Sequence, residues 1–102
     1  MNMVFQKGGS VYIMANKYNN VLYTGVSSEL TIRIWQHKNN IHPNSFTAKY
    51  KCDKLVYYLN FPFIEEAIAE EKRIKGCIKE YKRQLINSIN PNWIDLYESL
   101  IG

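Results

Sequence analysis

The sequence predicts an α+β fold: a small three-stranded, mainly antiparallel sheet flanked by helices. Three observations carry that prediction. Residues 11–14, 21–26 and 55–60 are short runs rich in β-branched and aromatic side chains, each bounded by turn formers. Only Ala15 and the turn-like Asn16 to Asn20 separate the first two runs, so they form a hairpin and pair antiparallel. Stretches with the apolar period of a helix follow the second and third runs, and they must cover the faces of the sheet.

Each element has its local cause. Residues 1–9 read as a loose leader, without an apolar region followed by a small-residue cleavage site. Asn19 and Asn20 tolerate the positive φ that a hairpin turn needs. Ser27 and Ser28 cap a helix over 29–39, and Glu29 suits its first turn. Leu30 and Ile34 share one face of it; Arg33 and His37 lie one turn apart beside them. Asn39 and Asn40 stop it. The segment 41–54 is polar and holds Pro43, with a short helical turn or loop at 46–50. Pro62 ends the third strand and leads into one long helix over 63–85. Glu65 and Glu66 at its start and Lys79, Lys82 and Arg83 near its end suit the helix dipole. Gly76 inside it marks close packing. Asn90 and Pro91 make a cap and a first helical position, opening a short helix over 91–100. Its Trp93, Ile94, Leu96 and Tyr97 pack back on the body.

Composition narrows the classes. A chain of 102 residues fits one domain, 1–102 with a core at about 10–96, and 46% hydrophobic residues can fill its interior. The apolar runs are too short to span a membrane, and no Gly-rich phosphate loop or Ser-His-Asp signature is present. The expectation is a cytoplasmic protein with no organic cofactor. A net charge of +4 leans toward a polyanionic partner. Cys52 and Cys77, far apart and outside any C-x-x-C, read as two buried thiols.

One residue breaks the pattern of the long helix. Ile64, Ala67, Ile68, Ile74, Ile78, Tyr81 and Leu85 make an apolar stripe, and Glu71 falls in its middle. A carboxylate there needs a cation, a donor or a water-filled pocket. Lys75, at i+4, is placed to pair with it. The alternative is that Glu71 faces a pocket at the edge of the core.

Further residues favour the pocket. Ser10-Val11-Tyr12, then Tyr23-Thr24-Gly25, then Arg33 and His37 on one helix and Glu71 on a later one resemble the GIY-YIG nuclease superfamily. The resemblance runs over about 10–96 and is nearest to its small stand-alone bacterial members. It is supported by 54–58 (Lys-Leu-Val-Tyr-Tyr), by 66–76 and by 89–93. It implies a divalent-metal-dependent endonuclease that hydrolyses DNA, or RNA, with weak sequence or structure selectivity, for which DNA repair is a natural setting. It places Tyr12 as the proton acceptor or its relay and Tyr23 as a phosphate-binding partner, with the two roles exchangeable. Arg33 offers a fork of donors to the phosphoryl oxygens, and His37 binds phosphate or assists proton transfer. Glu71 would hold one Mg²⁺ or Mn²⁺. Nearby cations are expected to lower the pKa of the catalytic tyrosine. Gly25 lets the backbone turn and leaves room for phosphate. Lys49, Tyr50 and Lys75 are candidate nucleic-acid contacts. Val26 stands where many relatives carry lysine or another polar residue, which leaves fewer cations near the scissile phosphate. Two other readings share the fold: a catalytically weak nucleic-acid-binding module, and a partner-docking module that would use Tyr18, Trp35 and Trp93.

Overall fold

The computed structural model describes residues 8–102. Strand β1 (Gly9–Ala15) turns into β2 (Leu22–Ser27), followed by α1 (Leu30–Lys38) and a single-turn α2 (Phe46–Lys49). Then come β3 (Lys54–Phe61), α3 (Ile64–Lys75), α4 (Lys79–Ile89) and α5 (Tyr97–Ile101). The sheet has the order β2-β1-β3 and both pairings are antiparallel. The predicted class, α+β with a three-stranded sheet between helices, is the observed one.

The hairpin is built by its asparagines. Asn16 Oδ1 accepts from the N–H groups of Asn20 and Val21, at 3.0 and 3.1 Å. Asn19 takes the left-handed conformation, with φ of 59°, at little cost for this residue type. Arg83 donates to the Asn19 carbonyl and Lys54 to its side chain, while Lys79 donates to the carbonyl of Asn20. Part of the basic charge of the C-terminal half therefore holds the hairpin loop.

Strand alternation sends side chains to two cores. On one face Val11, Ile13 and Ala15 meet Tyr57, Ile74, Ile86 and Trp93. On the other, Tyr12, Met14 and Leu55 meet Leu30, Ile34 and Cys52, with Tyr23, Tyr58, Leu96 and Tyr97 around them. Helices α3 and α4 cover the first face, α1 and α5 the second. β1, paired on both sides and covered on both faces, is buried along its whole length. Gly9, expected in a loose leader, is the first residue of this strand. The rest of the expected leader, residues 1–7, lies outside the described residues.

Four local expectations need correction. The long helix is two helices. Gly76 ends α3 as its exposed C-cap, and Ile78 is extended, with φ −68° and ψ 159°. Ile78 is 74% exposed although it completes the stripe. Beyond the break Ile86, with Leu85 beside it, packs in the core with Val56 and Tyr57 of β3. Gly76 thus marks an end and not close packing. The helix over 91–100 shrinks to α5, because Asn90 organises a turn instead. Asn90 is 4% exposed. Its Nδ2 donates to the carbonyls of Val56 (3.1 Å) and Ile94 (2.9 Å), and its Oδ1 accepts from Ile94 N–H (3.1 Å). Helix α1 begins one residue late, with Ser27 Oγ accepting from Glu29 N–H and no side-chain cap. Finally, Cys52 is buried but Cys77 is only half-buried, and both are free thiols.

Asn90→Ala removes three hydrogen bonds and strands the buried Val56 carbonyl. It is expected to lower stability by about 1–3 kcal/mol, read as a lower urea midpoint at unchanged slope. A midpoint equal to wild type would mean that water or a neighbour replaces the amide.

Candidate active site

Tyr12 stands at the centre of the candidate site. Its neighbours on the sheet, Gly25 and Tyr58, are its direct partners in register. The ring approaches Gly25 closely: a Cβ built there would fall 2.5 Å from Tyr12 Cζ and Oη. No glycine among the described residues has positive φ. Gly25 is therefore required by the close approach of a ring and not by a backbone turn.

Tyr12 Oη lies 2.8 Å from His37 Nε2. His37 Nδ1 lies 2.9 Å from Thr47 Oγ1, and Thr47 Oγ1 is 3.1 Å from Ser45 Oγ. Helix α1 supplies the imidazole and α2 the hydroxyls. The rings of Tyr12, Tyr23 and His37 form a triangle, with centroids 6.3, 5.7 and 5.7 Å apart. Tyr23 also stacks on Phe46 at 5.9 Å, and Phe46 contacts Tyr50 at 4.6 Å. Lys49 places its ammonium 5.5 Å over the Tyr50 ring. Phe46 and Tyr50 are both nearly half exposed, so the aromatic row leads from the buried site to the surface.

Glu71 arrives from α3, on the other side of the sheet. It is one of the buried residues of that helix, between Ala67 and Ile74, and is 9% exposed. Lys75 Nζ lies 3.1 Å from its Oε1. The same ammonium sits 5.9 Å over the ring of Tyr23. Lys75 therefore stands between Glu71 and Tyr23 of β2, the edge strand. The pairing with Lys75 is the observed contact of the misplaced carboxylate, and its charge also acts on Tyr12. Arg33 lies at the rim. It lines a recess of about 100 Å³ with Ser27, Ser28, Glu29, Ile32 and Gln36, and its charge acts on both Tyr12 and His37.

The electrostatics correct one expectation. The pKa of Tyr12 is raised well above the ordinary phenol range, not lowered. Burial is the largest cause, Tyr23 and Glu71 add to it, and the opposing pull of Arg33 does not overcome them. Tyr12 is thus a neutral phenol that needs a base. His37 is held neutral, its pKa lowered to about 4 by burial first and then by Arg33 and His42.

A test of that environment follows. The unfolded chain binds the His37 proton near pH 6.5, the folded one only near 4. As pH falls between those values the unfolded state gains protons first, so stability declines across that window and no further below it. Urea midpoints followed from neutral pH to pH 4 should fall less for His37→Gln than for wild type. Parallel declines would show that His37 is not held neutral.

The metal question rests on the donor set. Among the described residues no three His, Cys, Asp or Glu side chains converge. A single buried carboxylate with oxygen donors fits a small divalent ion that keeps most of its own waters. Thr24 Oγ1 is buried and lacks a protein partner. Thr24 is opposite Ile13 in register, on the face that α3 covers, and such a hydroxyl needs water or a ligand there.

Of the predicted site residues, Tyr12, Tyr23, His37 and Gly25 pack together, and Lys75 links Tyr23 to Glu71. Arg33 stands at their rim, and Lys49 and Tyr50 at the far end of the aromatic row. Sequence reasoning misses Phe46 and Thr47. An aromatic residue in the polar segment 41–54 is a signal for Phe46. Thr47 gives none, since a hydroxyl in a polar loop is unremarkable without its partner.

The sheet and its flanking helices have a nuclease-type fold. The sequence matches the GIY-YIG catalytic domain over residues 8–87, and the chain belongs to that family. It is similar in structure to a UPF0213 protein of Bacillus halodurans solved by NMR in solution, with 26% identity and a TM-score of 0.55. That similarity covers 86% of this chain and 92% of the other. A search of curated proteins gives no match.

Proposed function

We propose that this protein is a cytoplasmic, divalent-metal-dependent endonuclease, a single domain that hydrolyses DNA phosphodiester bonds with weak sequence or structure selectivity. The observation that carries the reading is the hydrogen bond between Tyr12 and His37, a phenol next to a neutral imidazole, beside a tyrosine that Lys75 links to Glu71. Tyr12 passes its proton to His37 Nε2 and takes one from the attacking water, so a buried phenol serves as relay. Tyr23 and Lys75 hold the scissile phosphate, and Lys75 brings an ammonium to a site where Val26 supplies none. The Arg33 guanidinium stabilises charge on the non-bridging oxygens as the water oxygen bonds to phosphorus and the bond to the leaving oxygen breaks. Glu71 would hold Mg²⁺ or Mn²⁺, which supplies Lewis acidity toward the leaving oxygen. Phe46 and Tyr50 offer ring faces to bases, and Lys49 a cation to phosphate. No helix among the described residues is long and apolar enough to cross a membrane.

The test is a titration of Mg²⁺ and Mn²⁺ against cleavage of labelled single-stranded, duplex and branched DNA and of RNA. Nicking of DNA that rises with metal and stops with chelator is the expected result. Salt-sensitive binding without cleavage at any metal concentration would reduce the protein to a nucleic-acid-binding module on the same fold.

A further inference from the structure

The imidazole of His37 stands between two hydroxyls, with Tyr12 Oη 2.8 Å from Nε2 and Thr47 Oγ1 2.9 Å from Nδ1. A neutral imidazole donates through one nitrogen and accepts through the other. Both neighbours can play either part, so the row of hydroxyls can run in either sense. Its two ends decide which.

In one sense Tyr12 donates to Nε2, Nδ1–H donates to Thr47, and Thr47 donates to Ser45 Oγ, 3.1 Å away. Ser45 Oγ also accepts from Ala48 N–H as the cap of α2, so it is an acceptor already fixed in place. The proton left over is on the Ser45 hydroxyl, and Ser45 is only half-buried and reaches water. In the reverse sense Ser45 donates to Thr47, Thr47 to Nδ1, and Nε2–H to Tyr12. The proton left over is then that of Tyr12, on a residue 1% exposed. His37 is its only hydrogen-bond partner among the described residues. A buried donor without an acceptor is strongly disfavoured. A phenol is also more acidic than an aliphatic hydroxyl, hence the better donor to an imidazole.

We infer that the hydroxyls of Thr47 and Ser45 set the tautomer of His37, keeping Nδ1 protonated and Nε2 free to receive the proton of Tyr12. Thr47, 3% exposed, is a positioning residue that acts through His37. The proton of Tyr12 passes to Nε2 as Oη takes the proton of the attacking water, so the O–H bond broken on one side of the phenol oxygen is replaced by one formed on the other. The imidazole gains its second proton with Nδ1–H already on a placed acceptor, so no group must reorient during the transfer. The consequence for rate rests on the proposed hydrolysis; the tautomer is a property of the free protein.

The experiment is long-range ¹H–¹⁵N correlation on untagged protein labelled at histidine, without metal or DNA, with His42→Gln assigning the two rings. Wild type should show a pyrrole-like Nδ1 and a pyridine-like Nε2 at His37. Thr47→Val, which keeps the shape and removes the hydroxyl, should move His37 toward the other tautomer; Thr47→Ser should not. A wild-type ring protonated at Nε2, or a tautomer unchanged by Thr47→Val, overturns the inference. If Thr47→Val does not fold, Thr47→Ala, which also lacks the hydroxyl, takes its place, and a wild-type ring protonated at Nε2 overturns the inference by itself. On cleavage, Thr47→Val should slow single-turnover nicking roughly 10- to 100-fold, the range seen when a group orienting a functional histidine is lost, with Thr47→Ser near wild type. The tautomer shift in a protein that cleaves nothing would leave the inference standing and remove the hydrolytic reading. Normal nicking by Thr47→Val with its tautomer unchanged would do the opposite.

Discussion

Glu71→Ala is expected to abolish metal-dependent nicking, a loss of about 10³-fold or more if the carboxylate is the sole protein ligand of the ion that stabilises the leaving oxygen. The fold should survive it. Glu71 is paired with Lys75 at 3.1 Å, but the Lys75 side chain is 52% exposed. Freed of its partner, the ammonium turns to water and no buried charge is stranded. Alanine is also the better helix former in the middle of α3. The expected change in stability is within about 1 kcal/mol. Lys75→Ala gives the contrast. It leaves the carboxylate, with its 11% exposed side chain, without its cation, yet keeps the ligand. If Glu71 served only the ion pair, the two variants would fail alike. If it holds metal, Lys75→Ala retains nicking at weaker substrate binding while Glu71→Ala has none. Cleavage rates of both, beside urea midpoints, separate the cases, and equal activity of Glu71→Ala and wild type would end the metal assignment.

Glu71 is legible in the amino-acid sequence because a helix period makes a polar residue stand out among Ala67 and Ile74. Tyr12 and Tyr23 are legible as strand residues, and Arg33 and His37 as neighbours at i+4. The strands are legible from their β-branched runs and the asparagines between them. The break after Gly76 is not, because Ile78 and Tyr81 continue the period of α3 without interruption. Periodicity reports which residues share a face if the helix is straight; it does not report where the sheet ends beneath it. Asn90 and Pro91 carry the composition of a helix start, yet Asn90 serves two strand and turn carbonyls that lie far away or downstream. The protonation of Tyr12 escapes sequence reasoning for a similar reason. Arg33 is visible in the sequence as a cation nearby, but the burial that outweighs it is a property of the packed ring.

Gly25→Ala is the second change with a large expected effect. A Cβ at this position would sit 2.5 Å from two atoms of the Tyr12 ring and 3.0 Å from a third. Tyr12 cannot yield easily, since β1 is buried along its length and the ring is held at His37. Forcing it aside is expected to destabilise the protein by about 1–3 kcal/mol, the usual range for overpacking. It also moves Oη off Nε2, and loss of the proton relay should reduce nicking by roughly 10²- to 10⁴-fold. A second background makes the cause visible. In Tyr12→Ala the space above Gly25 is open, and its backbone needs no positive φ. There the same Gly25→Ala change should not destabilise; it should stabilise by roughly 0.5–1 kcal/mol, because alanine loses less conformational freedom in a strand than glycine does. Urea midpoints for the four proteins of this cycle give the coupling directly. A Gly25→Ala cost that persists at full size in the Tyr12→Ala background would show that the glycine serves the backbone or another neighbour, and that the ring packed upon it is not what the second motif is built to receive.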